Sequence, residues 1–302
     1  DVTIVTNTTS SGGKDKESIE SIRFAASKFY TSQNRLVTVD DYKSKLQTLY
    51  PGADSIAVWG GEDNNPPQYG KIFISIKPSQ NVNKLTTSEK ILLRDKLRQL
   101  NMLTVRPELV DANIIDIIID SNFKYNPRAT TKTASELETL VRAAIITHDS
   151  TYLSGFDSIF RHSVLANDID SAESSILSNI TTVKLRKTVT PTFSQSKGYT
   201  VDFGSGNGLY NPHLGHNKAG GGIIETTGFL VSGFTDIFFF DDDGEGNLRR
   251  YSLSGSTRVY ADSQAGLVNY SNGKITVNGI NIIETDNTDD TIHFTVNPNS
   301  YD

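Results

Sequence analysis

Apolar residues recur every three or four positions in much of the first half of this chain and every second position over short runs in the second half. From Lys16, the face formed by Ile19, Ile22, Ala26 and Phe29, with Glu17, Glu20 and Lys28 off it, predicts a helix. Thr38 is a good N-cap, and Val39, Tyr42, Leu46 and Leu49 repeat at helical spacing until Pro51-Gly52 stops the run. Ile56, Val58 and Trp59 then predict a short strand ended by Gly60-Gly61. Ile72, Ile74 and Ile76 predict another beyond a Pro66-Pro67 loop.

Thr86 with Glu89 and Thr133 with Glu136 have capping-box spacing. The first pair opens a helix expected to bury Ile91, Leu92, Leu97 and Leu100. The second opens one whose apolar face is Leu137, Leu140, Val141, Ala144 and Ile145. Between them, Met102–Val105 predicts a short strand, and the run Asn113–Asp120 (NIIDIIID) one covered on both faces. Phe156–Asn167 predicts a further helix, and Ser175–Val189 a long strand, bent or exchanged.

Beyond Pro191 the helical period disappears. Short runs at Tyr199–Phe203, Gly228–Val231, Asp236–Phe240, Thr257–Ala261, Lys274–Asn278 and Thr291–Val296 predict strands, with Asn272-Gly273 a hairpin turn. The expected fold class is α+β: an N-terminal α/β sandwich with a mostly antiparallel sheet, followed by a glycine-rich all-β domain. The expected division is 1–15, a linker or strand from an upstream region; 16–190, the α+β core; and 191–302, an acidic β-rich domain.

Composition sharpens that division. Of 23 glycines, 16 lie from Pro191 onward, as do 6 of 29 Lys+Arg and 13 of 35 Asp+Glu, leaving 23 basic and 22 acidic residues upstream. The C-terminal segment therefore carries -7 (6 − 13) and the upstream part +1 (23 − 22), so the acidic excess behind the formal net charge of -6 is C-terminal. With no basic run, nucleic-acid binding lacks its electrostatic driving term. No apolar run is long enough to span a bilayer, and no basic-then-apolar leader is present. The chain has no cysteine, which removes disulfides, thiolate nucleophiles and cysteine-ligated metals.

Candidate chemistry is sparse. His213 and His216 in NPHLGHNKAGGG are close enough to share a metal ion if the loop turns, but they have no committed carboxylate partner; the other reading is a solvated loop. Asp241, Asp243 and Glu245 in DDDGEGN cluster oxygen donors as a calcium loop does, or form an acidic turn after the buried run Phe238-Phe239-Phe240. Gly204-Ser205-Gly206-Asn207-Gly208 opens no helix and reads as a β-turn, not a phosphate cradle. His148, Asp149, Asp157 and His162, with Ser150 or Ser154, supply the inventory of a triad without a nucleophile elbow or oxyanion loop. No catalytic residue and no cofactor is expected.

The segment Gly12-Gly13-Lys14-Asp15-Lys16-Glu17-Ser18 through Arg23, then Arg35-Leu36-Val37-Thr38-Val39-Asp40-Asp41-Tyr42 and Pro51-Gly52, resembles the baseplate J-like proteins of contractile phage tails. The glycine-rich acidic tail is similar to the C-terminal portion of wedge members of that family from T-even-type phages, which also have a further upstream half. The resemblance implies a non-enzymatic structural subunit that pairs with itself as a homodimer within a ring. It also implies contacts with other baseplate wedge proteins and hub-proximal proteins, and a place in the virion after assembly in the host cytoplasm. It implies no partner among nucleic acids or membranes. A metal- or carbohydrate-dependent receptor-binding β module is the alternative, in which His213, His216 and the aspartate turn would matter. For the structural reading, the Ile114–Ile119 strand or the Phe238–Phe240 corner is the expected apolar contact patch, if either is exposed in the monomer.

Overall fold

The structure is a computed structural model that describes residues 34–298, apart from 65, 79–83, 157, 205–208 and 210–221, together with helical residues 19, 22, 23, 26 and 30. Ile19 and Ile22, expected on a buried face, are exposed. The described residues form α+β structure with mostly antiparallel sheets, in two compact units. One unit runs to Asn113 and includes Thr147–Ile159; the other comprises Ile114–Ile146 and Phe160 onward.

In the first unit, helix α1 (Val39–Leu49) is followed by β1 (Ala53–Gly60) and β2 (Lys71–Pro78), an antiparallel pair, and then by α2 (Thr87–Arg98) and β3 (Arg106–Val110). The β2-α2-β3 crossover makes β3 parallel to β2, as a helical connection permits. Both helices start at complete capping boxes, Thr38 with Asp41 and Thr86 with Glu89, which satisfy amides that a helix N-terminus otherwise leaves open. Tyr42 and Leu46 of α1 and Leu93 and Leu97 of α2 are buried with Val58, Ile74 and Ile76 of the sheet. Leu97 is buried and Leu100 packs against the same core, as expected, whereas Ile91 and Leu92 are exposed and Leu93, four before Leu97, takes the core position. Met102–Val105 is a turn and not a strand, with the Val105 amide donating to the Met102 carbonyl at 3.0 Å. The strand begins at Arg106 and contains Pro107, which is tolerated because β3 is an edge strand.

The second unit contains a four-stranded antiparallel sheet in the order β4-β5-β13-β7, built from β4 (Asp116–Tyr125), β5 (Ile176–Val189), β7 (Ile224–Thr226) and β13 (Ile292–Val296). Val141 of α3 (Ala134–Tyr152) and Leu165 and Ile169 of α4 (His162–Asp170) pack with Ile119, Phe123 and Ile176. Helix α4 starts six residues later than Phe156. β4 is half-buried and not covered on both faces: Asp116, Ile118, Asp120, Asn122 and Lys124 alternate with the core-facing Ile119 and Phe123. β5 is one long strand, as expected, paired with β4 on one side and β13 on the other.

The other sheet follows the order β11-β10-β9-β8-β12-β6, comprising β6 (Gln195–Asp202), β8 (Phe229–Val231), β9 (Ile237–Asp242), β10 (Asn247–Ser254), β11 (Thr257–Asn269) and β12 (Lys274–Thr285). Because β11 also pairs with β12, strands β8 to β12 close into a ring, which removes their free edges. Phe203, Phe229, Phe238, Phe240 and Phe294 fill the core shared with the four-stranded sheet, and the Phe240 ring centroid lies 4.7 Å from that of Phe229. The Phe238–Phe240 corner is therefore packing, since Phe238 and Phe240 are almost wholly buried, and it offers no exposed patch. From Ile176 to Val296, every regular element among the described residues is a strand.

Candidate functional site

The hairpin between β9 and β10 brings the most charge into the protein. Its turn, Asp243–Gly246, has Gly244 and Gly246 at φ 78° and 107°, in the left-handed region that glycine enters without strain. That turn sets Asp241 directly opposite Arg249. Asp241 is 1% exposed, and its carboxylate accepts from Arg249 Nε at 2.9 Å and Nη2 at 3.1 Å, from Arg258 Nη1 at 2.8 Å and from Tyr260 Oη at 2.9 Å. The Arg249 guanidinium also lies over the Tyr260 ring, 4.3 Å from its centroid. A buried carboxylate is tolerated because it is paired and hydrogen-bonded on both oxygens.

Asp242, fully buried, points to the opposite face. It accepts from the Ile224 amide at 2.9 Å and from Tyr270 Oη at 2.6 Å. Burial pushes its carboxyl above the ordinary value, against the opposing pull of those donors, and burial beside Asp242 pushes the Tyr270 hydroxyl up as well. Asp243 caps the turn by accepting from the amides of Glu245 and Asn247 at 2.7 and 3.0 Å. Together with the Asn247 side chain, these donors hold its carboxyl below the usual range against the opposing effect of burial. The three consecutive aspartates thus serve three separate local purposes, and the oxygens of Asp241 and Asp243 are directed at protein donors.

The remaining candidates are dispersed. His213 and His216 lie outside the described residues, as do 205–208 of the glycine run; Gly204 follows an Asp202 turn in which its amide donates to Oδ1 at 2.8 Å. In the first unit, His148 is buried beside Tyr152, and Ser150 Oγ donates to the Thr147 carbonyl, so that hydroxyl serves its own helix. In the second unit, a His162 ring nitrogen lies 2.9 Å from the Thr181 carbonyl. Asp157 lies outside the described residues. Among the described residues, no group of three or more His, Asp or Glu side chains is placed to share a metal ion, and no helix is long and apolar enough to cross a membrane.

A different kind of function is indicated by the sequence that builds these units. A family model for the baseplate structural protein gp6, C-terminal domain I, matches residues 38–110, and one for its C-terminal domain III matches residues 113–188. The first covers α1 to β3, and the second covers β4, α3, α4 and β5. The chain is also 25% identical over 219 residues to the baseplate wedge protein gp6 of Enterobacteria phage T4, an alignment covering 68% of this chain and 33% of that protein. Over residues 38–188 the chain is similar to the C-terminal domains of the baseplate structural protein gp6.

The chain spans about a third of the length of the curated relative it matches. The boundary between its two family matches falls beside the boundary between its compact units, at Asn113 and Ile114. The residues that organise its most charged hairpin, Arg249, Arg258, Tyr260 and Tyr270, were not singled out by sequence reasoning. A signal for one of them was present: folding DDDGEGNLRR about its glycines pairs Asp241 with Arg249.

Proposed function

We propose that this chain is a structural subunit of a phage tail baseplate wedge that associates with a second copy of itself and links neighbouring wedges into a ring around the hub. The observation that carries the reading is the pair of consecutive gp6 domain matches, from residue 38 to residue 188 with a two-residue gap. The aspartate turn fits it, because Asp241, Asp242 and Asp243 accept from protein donors and so bind the β strands together. In this reading the α/β part is a rigid frame, and the acidic, glycine-rich all-β part beyond Pro191 carries contact surface. Its partners are other wedge and hub-proximal proteins, its location is the virion baseplate after assembly in the host cytoplasm, and it performs no catalytic step.

Sedimentation equilibrium of the chain, alone and mixed with the other wedge proteins, tests this directly. Self-association and incorporation into a larger complex are expected. A monodisperse monomer under both conditions overturns the reading.

A further inference from the structure

β4 ends its sheet. Its inner edge pairs with β5 along its whole length of 10 residues, while its outer edge pairs with no strand among the described residues. A long edge strand leaves a row of backbone donors and acceptors open to another chain, and proteins ordinarily blunt such edges with proline, a bulge or a short strand. β4 contains no proline, and its single irregularity is at Lys124/Tyr125, near its end.

The charges on its outward face select one occupant. Asp116 is held by Arg186 at 3.1 Å across the β4–β5 pair, whereas Asp120 and Lys124 are exposed and make no ion pair among the described residues. The two lie four apart on the same face with Asn122 midway, as the two-residue period of a strand requires. An antiparallel second copy related by a twofold axis through Asn122 sets Asp120 of each chain opposite Lys124 of the other and Asn122 opposite Asn122. Ile119 then meets Tyr125. Moving the axis to Ser121 sets Lys124 against Ile118, and moving it to Asp120 opposes two carboxylates, which is destabilising. The pattern is self-complementary in one register, as an isologous interface must be.

We infer that the outer edge of β4 is the surface through which two copies of this chain pair, joining their four-stranded sheets into one sheet centred on Asn122. The inference rests on the self-association proposed above and adds its location.

Because the chain has no cysteine, Asn122→Cys introduces a single thiol at an exposed position. Directly opposed residues of an antiparallel pair lie about 4.5–5.5 Å apart at Cα, within the range a disulfide spans. Under mild oxidation, Asn122→Cys is expected to convert to a covalent dimer, while Ser271→Cys, in the exposed β11–β12 turn, is not. Asp120→Lys and Lys124→Asp are each expected to weaken the dimer by about tenfold or more, since both cross-strand pairs become repulsive, and the double reversal restores it. If the wild type dimerises but neither reversal weakens it and Asn122→Cys cross-links no better than Ser271→Cys, this location is overturned and self-association stands. If the reversals weaken the dimer but the double variant does not recover, the strand meets a different partner segment and the twofold pairing is overturned. A monomeric wild type removes self-association and this pairing together.

Discussion

Arg249 and Asp241 face each other across the β9–β10 hairpin in a two-point contact, Nε to Oδ1 at 2.9 Å and Nη2 to Oδ2 at 3.1 Å, with both side chains nearly out of water. The geometry decides what removal of either partner does. Two charges taken out of water lose hydration that only their mutual bonds offset, so an unpartnered survivor is worse than no pair at all. Arg249→Ala leaves Asp241 with Arg258 and Tyr260 alone and should destabilise the chain by about 3–5 kcal/mol. The double variant Asp241→Leu with Arg249→Met, which replaces charge with apolar volume, should recover most of that loss. Urea midpoints at unchanged slope measure both; a double variant that loses as much as the single would show that apolar volume does not replace the pair and that the cost is not that of the surviving charge.

Asp242 gives stability a pH dependence of defined sign. Burial raises its folded pKa above the ordinary 3.8. A carboxyl raised in this way contributes stability that is fully present below the unfolded value and lost as pH rises through the folded value. Asp242→Asn keeps an oxygen for the Ile224 amide, turns its NH2 to Tyr270 Oη, which can accept instead of donate, and cannot ionise. Its stability relative to wild type should therefore improve as pH rises from below 3.8 to neutrality. Comparing variant with wild type at each pH cancels the opposite contribution of Asp243, whose pKa is depressed. A difference that does not change with pH would mean that Asp242 ionises as readily in the folded protein as in the unfolded chain.

Local signals were the legible part of this fold. Thr38, Thr86 and Thr133 each cap a helix as their spacing predicts, and the Thr133 hydroxyl and Glu136 carboxylate exchange bonds with the two backbone amides at 3.3 and 2.7 Å. These are contacts between neighbours three apart, fixed by chain geometry alone. Leu93, which replaced Ile91 and Leu92 in the core, was harder, because three consecutive apolar residues fit more than one helical face and the sheet beneath decides. Strand order was not legible. β13 pairs with β5, more than a hundred residues earlier, and nothing in the alternation of either strand names its neighbour. The charge cluster was half legible: the hairpin yields Asp241 and Arg249, whereas Arg258, Tyr260 and Tyr270 arrive through the β10–β11 pairing and the closure of the ring.

Tyr42 is fully buried in the α1 face of the first core, and among the described residues its hydroxyl has no hydrogen-bond partner; burial pushes its pKa up to about 12. An unsatisfied buried hydroxyl costs about 1–3 kcal/mol in lost hydration, so its deletion is not a loss. Tyr42→Phe should leave stability unchanged or raise it by up to about 1 kcal/mol, whereas Tyr42→Ala, which also empties the ring volume, should cost about 3–5 kcal/mol. Thermal and urea melts of the two variants separate the hydroxyl from the ring. A Tyr42→Phe loss as large as that of Tyr42→Ala would show that the hydroxyl has a partner essential to the fold.

Ring closure in the second unit depends on a glycine. Gly266 of β11 lies opposite Val277 of β12 at one of four paired positions that complete the ring, and a Cβ built there overlaps the Thr276 carbonyl oxygen. That oxygen belongs to backbone and has no rotamer through which to withdraw, so a side chain forces the strands apart. Separation unpairs the ladder from Gly266 to Asn269 and uncovers Val268 and Ile275, both buried in the core. Gly266→Ala should therefore destabilise the second unit by about 2–4 kcal/mol, far beyond the roughly 0.5 kcal/mol of an ordinary surface substitution. Gly255 is the control: it sits in the β10–β11 turn at φ 64° with nothing near its missing Cβ. Gly255→Ala should cost only about 1 kcal/mol of backbone strain. Amide exchange locates the effect. Faster exchange along β11 and β12 in Gly266→Ala, with the β1–β2 ladder of the first unit unchanged, is expected; exchange unchanged at β11 and β12 would mean that the strands accommodate a methyl group and that closure does not require glycine.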